Sequence, residues 1–260
     1  MMKFADVHSH FVYGVDDGAK TQEEMKAMLD AAWQDDVTTL VATPHRTPGV
    51  HPFDEALFER RLAEARDYCQ IRSYAMNLWA GAEILYTPAL EQYMTCHPLP
   101  TLGSTRNVLI EFSPAISYSE IAAAVELLER NGYVPVLAHV ERYKALTFSR
   151  LYRLKRQSDV LCQVNCSTVL DGMGPLQNLR LHKWFRDEMI DIVASDSHNC
   201  QTRKTRMKSV YSTLSHRLAK NTPTVLSDFS DRLSFQIISA SSFSDDLPST
   251  KQKRECVIPI

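Results

Sequence analysis

Asp6-Val7-His8-Ser9-His10 follows directly on a strand-like run over 3–7. Residues two apart in a strand point to one face, so Asp6, His8 and His10 are expected to project together, with both imidazoles able to reach one ion. A lone His-x-His is a weak signal. Val15-Asp16-Asp17-Gly18, just beyond it, would alone read as an ordinary Asp-Gly turn. The pattern gains weight by recurring. Ala42-Thr43-Pro44-His45-Arg46 closes a second apolar run, Gly81-Ala82-Glu83 a third and Leu109-Ile110-Glu111-Phe112 a fourth. Ala138-His139-Val140-Glu141-Arg142 closes a fifth, and Ala194-Ser195-Asp196-Ser197-His198 the last. A carboxylate just after an apolar strand is costly to bury unless it is paired or bound to a cation. Repeated at one structural position, such residues read as a metal cluster.

The runs over 3–7, 38–43, 77–82, 108–112, 134–138, 160–165 and 191–194 are short and rich in Val, Ile, Leu and Ala. Strands buried on both faces have that composition. Helical stretches separate them. Thr21 and Glu24 form a capping-box pair opening a helix to about Trp33. Further helices are expected over 53–71, over 117–131 with Gly132 as the stop, over 176–188 and over 204–218. Strands alternating with helices predict parallel βαβ units. The expected fold is α/β, a distorted (β/α)7 barrel in a single domain. The strand C-termini of such barrels hold the active site. The phosphate loops GxGxxG and GxxxxGK[ST] follow none of the strands. The barrel is expected over 1–223. Residues 224–260, rich in Ser and Asp, are expected to form a partly disordered C-terminal tail.

Composition narrows the function. The 260 residues are 44% hydrophobic and 23% charged, enough for a large core. Lys and Arg total 29 against 31 Asp and Glu, a net charge of -2, which excludes the basic footprint of a dedicated nucleic-acid binder. None of the six cysteines forms a CxxC, against a zinc ribbon or a thioredoxin-like site. No leader or membrane-spanning run is expected, and a cytoplasmic location with reduced thiols is the simplest expectation.

A set of His and carboxylate without thiolate suits Mn, Fe, Zn or Co. His8, His10, His45, His139 and His198 with Asp17, Glu83, Glu111 and Asp196 exceed the ligands of one catalytic zinc, so two or three ions are implied. With three divalent ions the site would be formally cationic and suited to a phosphate monoester. Arg142 and Arg203, close after His139 and His198, could grip phosphate oxygens, with Arg46 a weaker third candidate. Cys200-Gln201-Thr202-Arg203-Lys204-Thr205-Arg206 matches the C-x5-R pattern of cysteine-dependent phosphatases. It lacks the glycine that helps such a loop wrap phosphate, so it reads as a decoy. His51, His97, His182 and His216 follow no strand in the ligand pattern and read as surface or helix residues. Trp33, Trp79 and Trp184 read as packing.

In these segments the chain resembles the PHP (polymerase and histidinol phosphatase) family. More narrowly, it is similar to the bacterial tyrosine-protein phosphatases encoded with capsular and exopolysaccharide synthesis. The resemblance rests on the six segments above together with Val15-Asp16-Asp17-Gly18, extended to Ile84, Tyr143 and Asn199. It implies three ions, commonly Mn2+, with Fe, Zn, Co or Mg possible. His8, His10, Glu83 and Asp196 would take the first. Glu83, Glu111 and His139 would take the second, and Asp17, His45 and His198 the third. Arg142 and Arg203 would hold the substrate phosphate, and a metal-bound water or His45 is the candidate to protonate the leaving phenolate. The implied partner is the phosphotyrosine tail of a cognate bacterial tyrosine kinase, with no nucleic acid and no membrane insertion. Two alternatives stay open: a histidinol-phosphate-like small-molecule phosphatase of the same fold, and a non-catalytic kinase-binding scaffold.

Overall fold

The computed structural model describes residues 3–219. The expected tail over 224–260 lies outside the described residues. The element order is β1 (Phe4–Ser9), α1 (Gln22–Gln34), β2 (Val37–Ala42), β3 (His45–Arg46), α2 (Glu55–Ile71), β4 (Asn77–Ala80), β5 (Glu83–Leu85) and α3 (Ala89–Met94). Then come β6 (Asn107–Glu111), α4 (Tyr118–Arg130), β7 (Val134–Leu137), a 3-10 turn (Val140–Arg142) and α5 (Phe148–Gln157). The described chain ends with β8 (Leu161–Asn165), α6 (Cys166–Asp171), α7 (Pro175–Arg186), β9 (Ile192–Ala194) and α8 (Met207–Ala219).

All the strand pairs are parallel. One sheet has the order β1-β2-β4 and the other β3-β5-β6-β7-β8-β9. Two of the expected strands break where they pass from one sheet to the next. The run over 38–43 ends at Thr43-Pro44, and Pro44 has no N–H to give the ladder. The run over 77–82 breaks at Gly81, where an added Cβ would stand 2.9 Å from Val41 Cγ1. The far edge curls back to the near one. Ser9 bridges Ser197, Asp196 N donates to His8 O (2.9 Å) and His10 N donates to Ser197 O (2.8 Å). Counting β2 with β3 and β4 with β5, the strands occupy the seven expected places in a curled, distorted TIM-like sheet.

Apolar residues sort to the two faces of this sheet. Val7, Val41, Leu109, Val136, Ala138, Ile192 and Ala194 fill the interior with Leu102. A larger layer, including Leu29, Phe58, Ile110, Leu128 and Trp184, packs the helices on the outside. Local signals fix the helix ends. Thr21 Oγ1 accepts from Glu24 N, although the Glu24 carboxylate takes Lys20 N rather than Thr21 N. Ser117 and Glu120 close a full capping box at α4, a device worth about 1 kcal/mol. Gly132 ends that helix at φ 84°.

The helices α3, α5 and α6 escaped the sequence reading. They are short, and α5 buries only Leu151 and Leu154 among basic neighbours. The tryptophans pack as expected: Trp184 is buried under Arg180, and Trp33 stacks on Tyr74. Cys69, Cys162, Cys166 and Cys200 are free thiols. Among the described residues no helix is long and apolar enough to cross a membrane.

Candidate metal centre

The strand C-termini converge as the sequence pattern requires. His8 and His10 lie at and just past the end of β1, His45 opens β3 and Glu83 opens β5. Glu111 ends β6, His139 follows β7, and Asp196 with His198 follows β9. His8 Nε2 is 3.1 Å from Glu83 Oε2 and 3.5 Å from Asp196 Oδ1. His10 Nε2 is 3.3 and 3.6 Å from the same two oxygens. His45 Nδ1 is 3.2 Å from both Glu83 Oε2 and Glu111 Oε1. His139 Nε2 is 2.8 Å from Glu83 Oε1 and 3.6 Å from Glu111 Oε2. Asp17 Oδ1 is 3.3 Å from the Nε2 atoms of both His45 and His198.

Three overlapping groups have ligand atoms close enough to hold an ion: His8, His10, Glu83 and Asp196; His45, Glu83 and Glu111; and His10, Asp17, His45 and His198. The first is the set expected for the first ion. The third is the set expected for the third ion, joined by His10. The second has His45 where His139 was expected, with His139 alongside both of its carboxylates.

The donor chemistry of the imidazoles tests whether cations fit. His8 Nδ1 faces Gln163 Oε1 (3.2 Å), His10 Nδ1 faces Asp16 Oδ2 (2.7 Å) and His198 Nδ1 faces Asp196 O (3.0 Å). Each partner atom can only accept, so each Nδ1 holds its proton and each Nε2 is the nitrogen left to give its lone pair to a cation once any proton on it is displaced. Those Nε2 atoms are buried, point into the cluster and have no hydrogen-bond partner of good geometry. Ligating histidines are oriented in this way, and the residues fit divalent cations.

Burial and crowding set the charges. Burial pushes His8 towards neutrality, but Glu83 and Asp196 outweigh it and hold its pKa at about 9. His45 also stands at about 9, burial being outweighed by its Glu111 and Glu83 neighbours. His198 falls to about 4 through burial and the adjacent His10. The Glu83 and Asp196 carboxyls are held below the usual range because His8 and their other cationic neighbours overcome burial.

Two ligand-position residues sit in the left-handed backbone region, His139 at φ 34° and Asp196 at φ 52°. Such strain in non-glycine residues collects at functional sites. Gly18 permits the acidic turn to press on β1, since a Cβ there would lie 2.0 Å from His10 O.

Arg142 Nη2 donates to Asp196 Oδ2 and Arg203 Nη2 to Asp196 Oδ1, both at 2.8 Å. Both side chains are about two-fifths exposed at the mouth, at 39% and 40%. Arg46 is directed elsewhere. Its guanidinium stacks on Phe53 at 3.9 Å and forks onto Glu55.

Asp6 parts from the histidines. A register shift in β1 between Asp6 and Ser9 breaks the alternation, and Asp6 Oδ1 accepts instead from Ser195 N (2.9 Å). It staples the first strand to the last. His51, His97 and His182 are exposed, as expected, while the side chain of His216 lies outside the described residues.

The sequence reading passed over Asp16, Gln163 and Asn165. Asp16 was visible beside Asp17, and its carboxylate binds His10, His45 N and Gly18 N. Gln163-Val164-Asn165 ends β8, which alone of the seven strand places among the described residues has no His, Asp or Glu ligand candidate at its end, and its polar amides at the same structural position were the available signal.

A parallel β/α fold that gathers histidines, carboxylates and two arginines at its strand C-termini defines a barrel-like protein with a candidate polynuclear metal centre. The chain belongs to the CpsB/CapC family, described as capsular polysaccharide synthesis, whose profile matches residues 4–229. It is 32% identical over 213 residues to the tyrosine-protein phosphatase CpsB of Streptococcus pneumoniae, covering 79% of this chain and 87% of the relative. It is 25% identical over 234 residues to the tyrosine-protein phosphatase YwqE of Bacillus subtilis, covering 88% and 90%. A solved structure from work on YwqE and CpsB, described as metal-dependent tyrosine phosphatases, shares the fold with a TM-score of 0.76 at 24% identity. That match covers 98% of this chain and 100% of the other.

Proposed function

We propose that the chain is a metal-dependent protein-tyrosine phosphatase acting on the phosphotyrosine tail of a bacterial tyrosine kinase in capsule or exopolysaccharide synthesis. The observation that carries the reading is the set of buried, inward-pointing Nε2 atoms without hydrogen-bond partners among shared carboxylates, with two arginines beside them at the mouth. The family membership and the names of the relatives support it.

His8, His10, Glu83 and Asp196 would hold one divalent ion, Glu83, Glu111 and His139 a second, and Asp17, His45 and His198 a third. Mn2+ is the first choice, and the donor set also accepts Fe, Zn, Co or Mg. When bound, such ions supply Lewis-acid polarisation of the phosphoryl group and lower the pKa of water. The protein does the rest. Arg142 and Arg203 orient the phosphate and offset its charge as the ester bond breaks. His45, about a third exposed, is the side-chain candidate to give a proton to the leaving phenolate whenever it is not holding the third ion. That phenolate, with a pKa near ~10, needs modest help.

The test is hydrolysis of an aryl phosphate by metal-stripped protein with Mn, Mg, Zn, Fe and Co added back, followed by a phosphotyrosine peptide against histidinol phosphate. The reading expects metal-restored turnover and preference for the peptide. Faster turnover of histidinol phosphate would favour the small-molecule phosphatase, and no turnover with any metal would favour the scaffold.

A further inference from the structure

We propose that a groove beside the Glu111 and His139 side of the centre is a specificity site for an anionic side chain flanking the phosphorylated tyrosine. The inference rests on the phosphatase reading above. After Glu111 the chain runs through Pro114 and Ile116 into α4, and after His139 it runs through Arg142 to Lys144 and Ala145. Tyr143 ties the two stretches together. Its hydroxyl accepts from Phe112 N at 3.0 Å and lies 3.3 Å from His139 Nδ1. Just beyond this tie a cavity of about 600 Å³ opens between the stretches, lined by Pro114, Ile116, Tyr118, Lys144, Ala145 and Arg150 among others.

The charged lining residues of this groove are both cations, and the Glu120 carboxylate at its Ser117 edge is taken up by Ser117 N and Oγ. Lys144 and Arg150 are exposed, and neither meets a carboxylate within ion-pair distance among the described residues. Arg46, Lys155 and Arg206 elsewhere on the molecule each do. The Arg150 guanidinium is held over the Tyr118 ring at 5.6 Å and donates to Ala145 O at 3.3 Å, so it is placed rather than free. The floor is apolar and the rim carries two unneutralised cations. Lys144 follows Arg142 by two residues, so the proposed path takes a peptide whose phosphate is gripped by Arg142 past it. A carboxylate or second phosphate on that peptide meets Lys144 and Arg150, while its aliphatic or aromatic stem covers Pro114, Ile116 and Tyr118.

The experiment uses the metal-loaded full chain and phosphotyrosine peptides of neutral sequence in which one Glu is moved stepwise along either side. A second series carries one phosphoserine in place of the Glu. A small aryl phosphate, too short to reach the groove, is the internal control. One register of Glu is expected to lower KM roughly fivefold, the scale of two exposed charge contacts, and phosphoserine in that register should do at least as well. In Lys144→Glu and Arg150→Glu the preference for Glu should vanish and pass to Lys in the same register, with aryl phosphate turnover unchanged. Aryl phosphate turnover with no register dependence would overturn the groove and leave the phosphatase reading standing. A register preference that survives both charge reversals would overturn it as well. Absence of aryl phosphate turnover would overturn the phosphatase reading, and this inference with it.

Discussion

Gln163 Oε1 accepts from His8 Nδ1 at 3.2 Å, and the same oxygen takes the backbone N–H of His139 at 2.8 Å. The amide is fixed in that orientation, because its Nε2 donates to Asn165 Oδ1 and Asn165 Nδ2 donates to Asp196 Oδ2. A neutral relay thus runs from one ligand position to another without adding charge. Gln163→Ala should weaken divalent-metal binding about 10- to 100-fold, the usual cost of removing an orienting partner. The fold should lose roughly 1–3 kcal/mol because buried partners are left unpaired. Chelator-competition titration together with urea unfolding separates the two effects. Unchanged metal affinity in a destabilised protein would reduce Gln163 to a packing residue.

The arginines make a separable prediction. Each uses one Nη2 on Asp196, and no other acceptor among the described residues takes the rest of its guanidinium donors. Arg142→Ala and Arg203→Ala should each lower kcat/KM on an aryl phosphate roughly 10- to 100-fold, the range for a charge-assisted hydrogen bond of about 1.5–3 kcal/mol. Bound metal, measured by elemental analysis, should not change. The double variant should lose less than the product of the single losses, since both residues share Asp196. Loss of metal in proportion to activity would show that they hold the centre together rather than the substrate.

How far the site was legible follows from the chemistry of these same residues. A His or carboxylate at the end of an apolar strand is conspicuous because its burial needs an explanation, so the ligand candidates could be read in order down the chain. Gln163 and Asn165 occupy the same structural position but are neutral amides, for which an ordinary hydrogen bond is explanation enough. The breaks at Thr43-Pro44 and Gly81 were hidden because an apolar run looks the same whether its ladder continues or passes to a second sheet. Asp6 obeyed the period of two in the sequence but not in the fold, since the β1 register shift depends on where β9 returns.

Metal-stripped protein should show a stability plateau bounded on both sides. His8 rises from 6.5 to about 9, so its stabilising contribution is complete below about 6.5 and is lost as pH rises through 9. A shift of that size corresponds to about 3 kcal/mol. Glu83 and Asp196 are held low, so their contributions are present above the ordinary carboxylate range and are lost as pH falls below it. The urea midpoint of chelated protein should therefore fall between pH 7 and pH 10. Metal-loaded protein should change less over that span, because bound ions replace the protons. A midpoint of the chelated protein that climbs from pH 7 to pH 10 would contradict this account of the cluster.

The Cys200–Arg206 segment provides the sharpest contrast between metal and thiol chemistry. A cysteine-dependent phosphate loop offers its backbone N–H groups to the substrate. Here Asn199 Oδ1 already accepts from Gln201 N (2.9 Å), Thr202 N (2.8 Å) and Arg203 N (3.1 Å), so the cradle is filled by the protein's own side chain. The thiol is also no ready nucleophile, since burial and the nearby Glu24 and Asp30 push its pKa up. Cys200→Ser should keep full activity and full sensitivity to chelator. Asn199→Ala should lower kcat/KM by about three- to tenfold, because that amide sets the backbone from which Arg203 reaches Asp196, an effect of roughly one hydrogen bond. The loss should appear in KM and should bring no sensitivity to thiol alkylation. A dead Cys200→Ser enzyme, or wild-type protein inactivated by iodoacetamide and protected by phosphate, would transfer the chemistry from the metal cluster to the thiol.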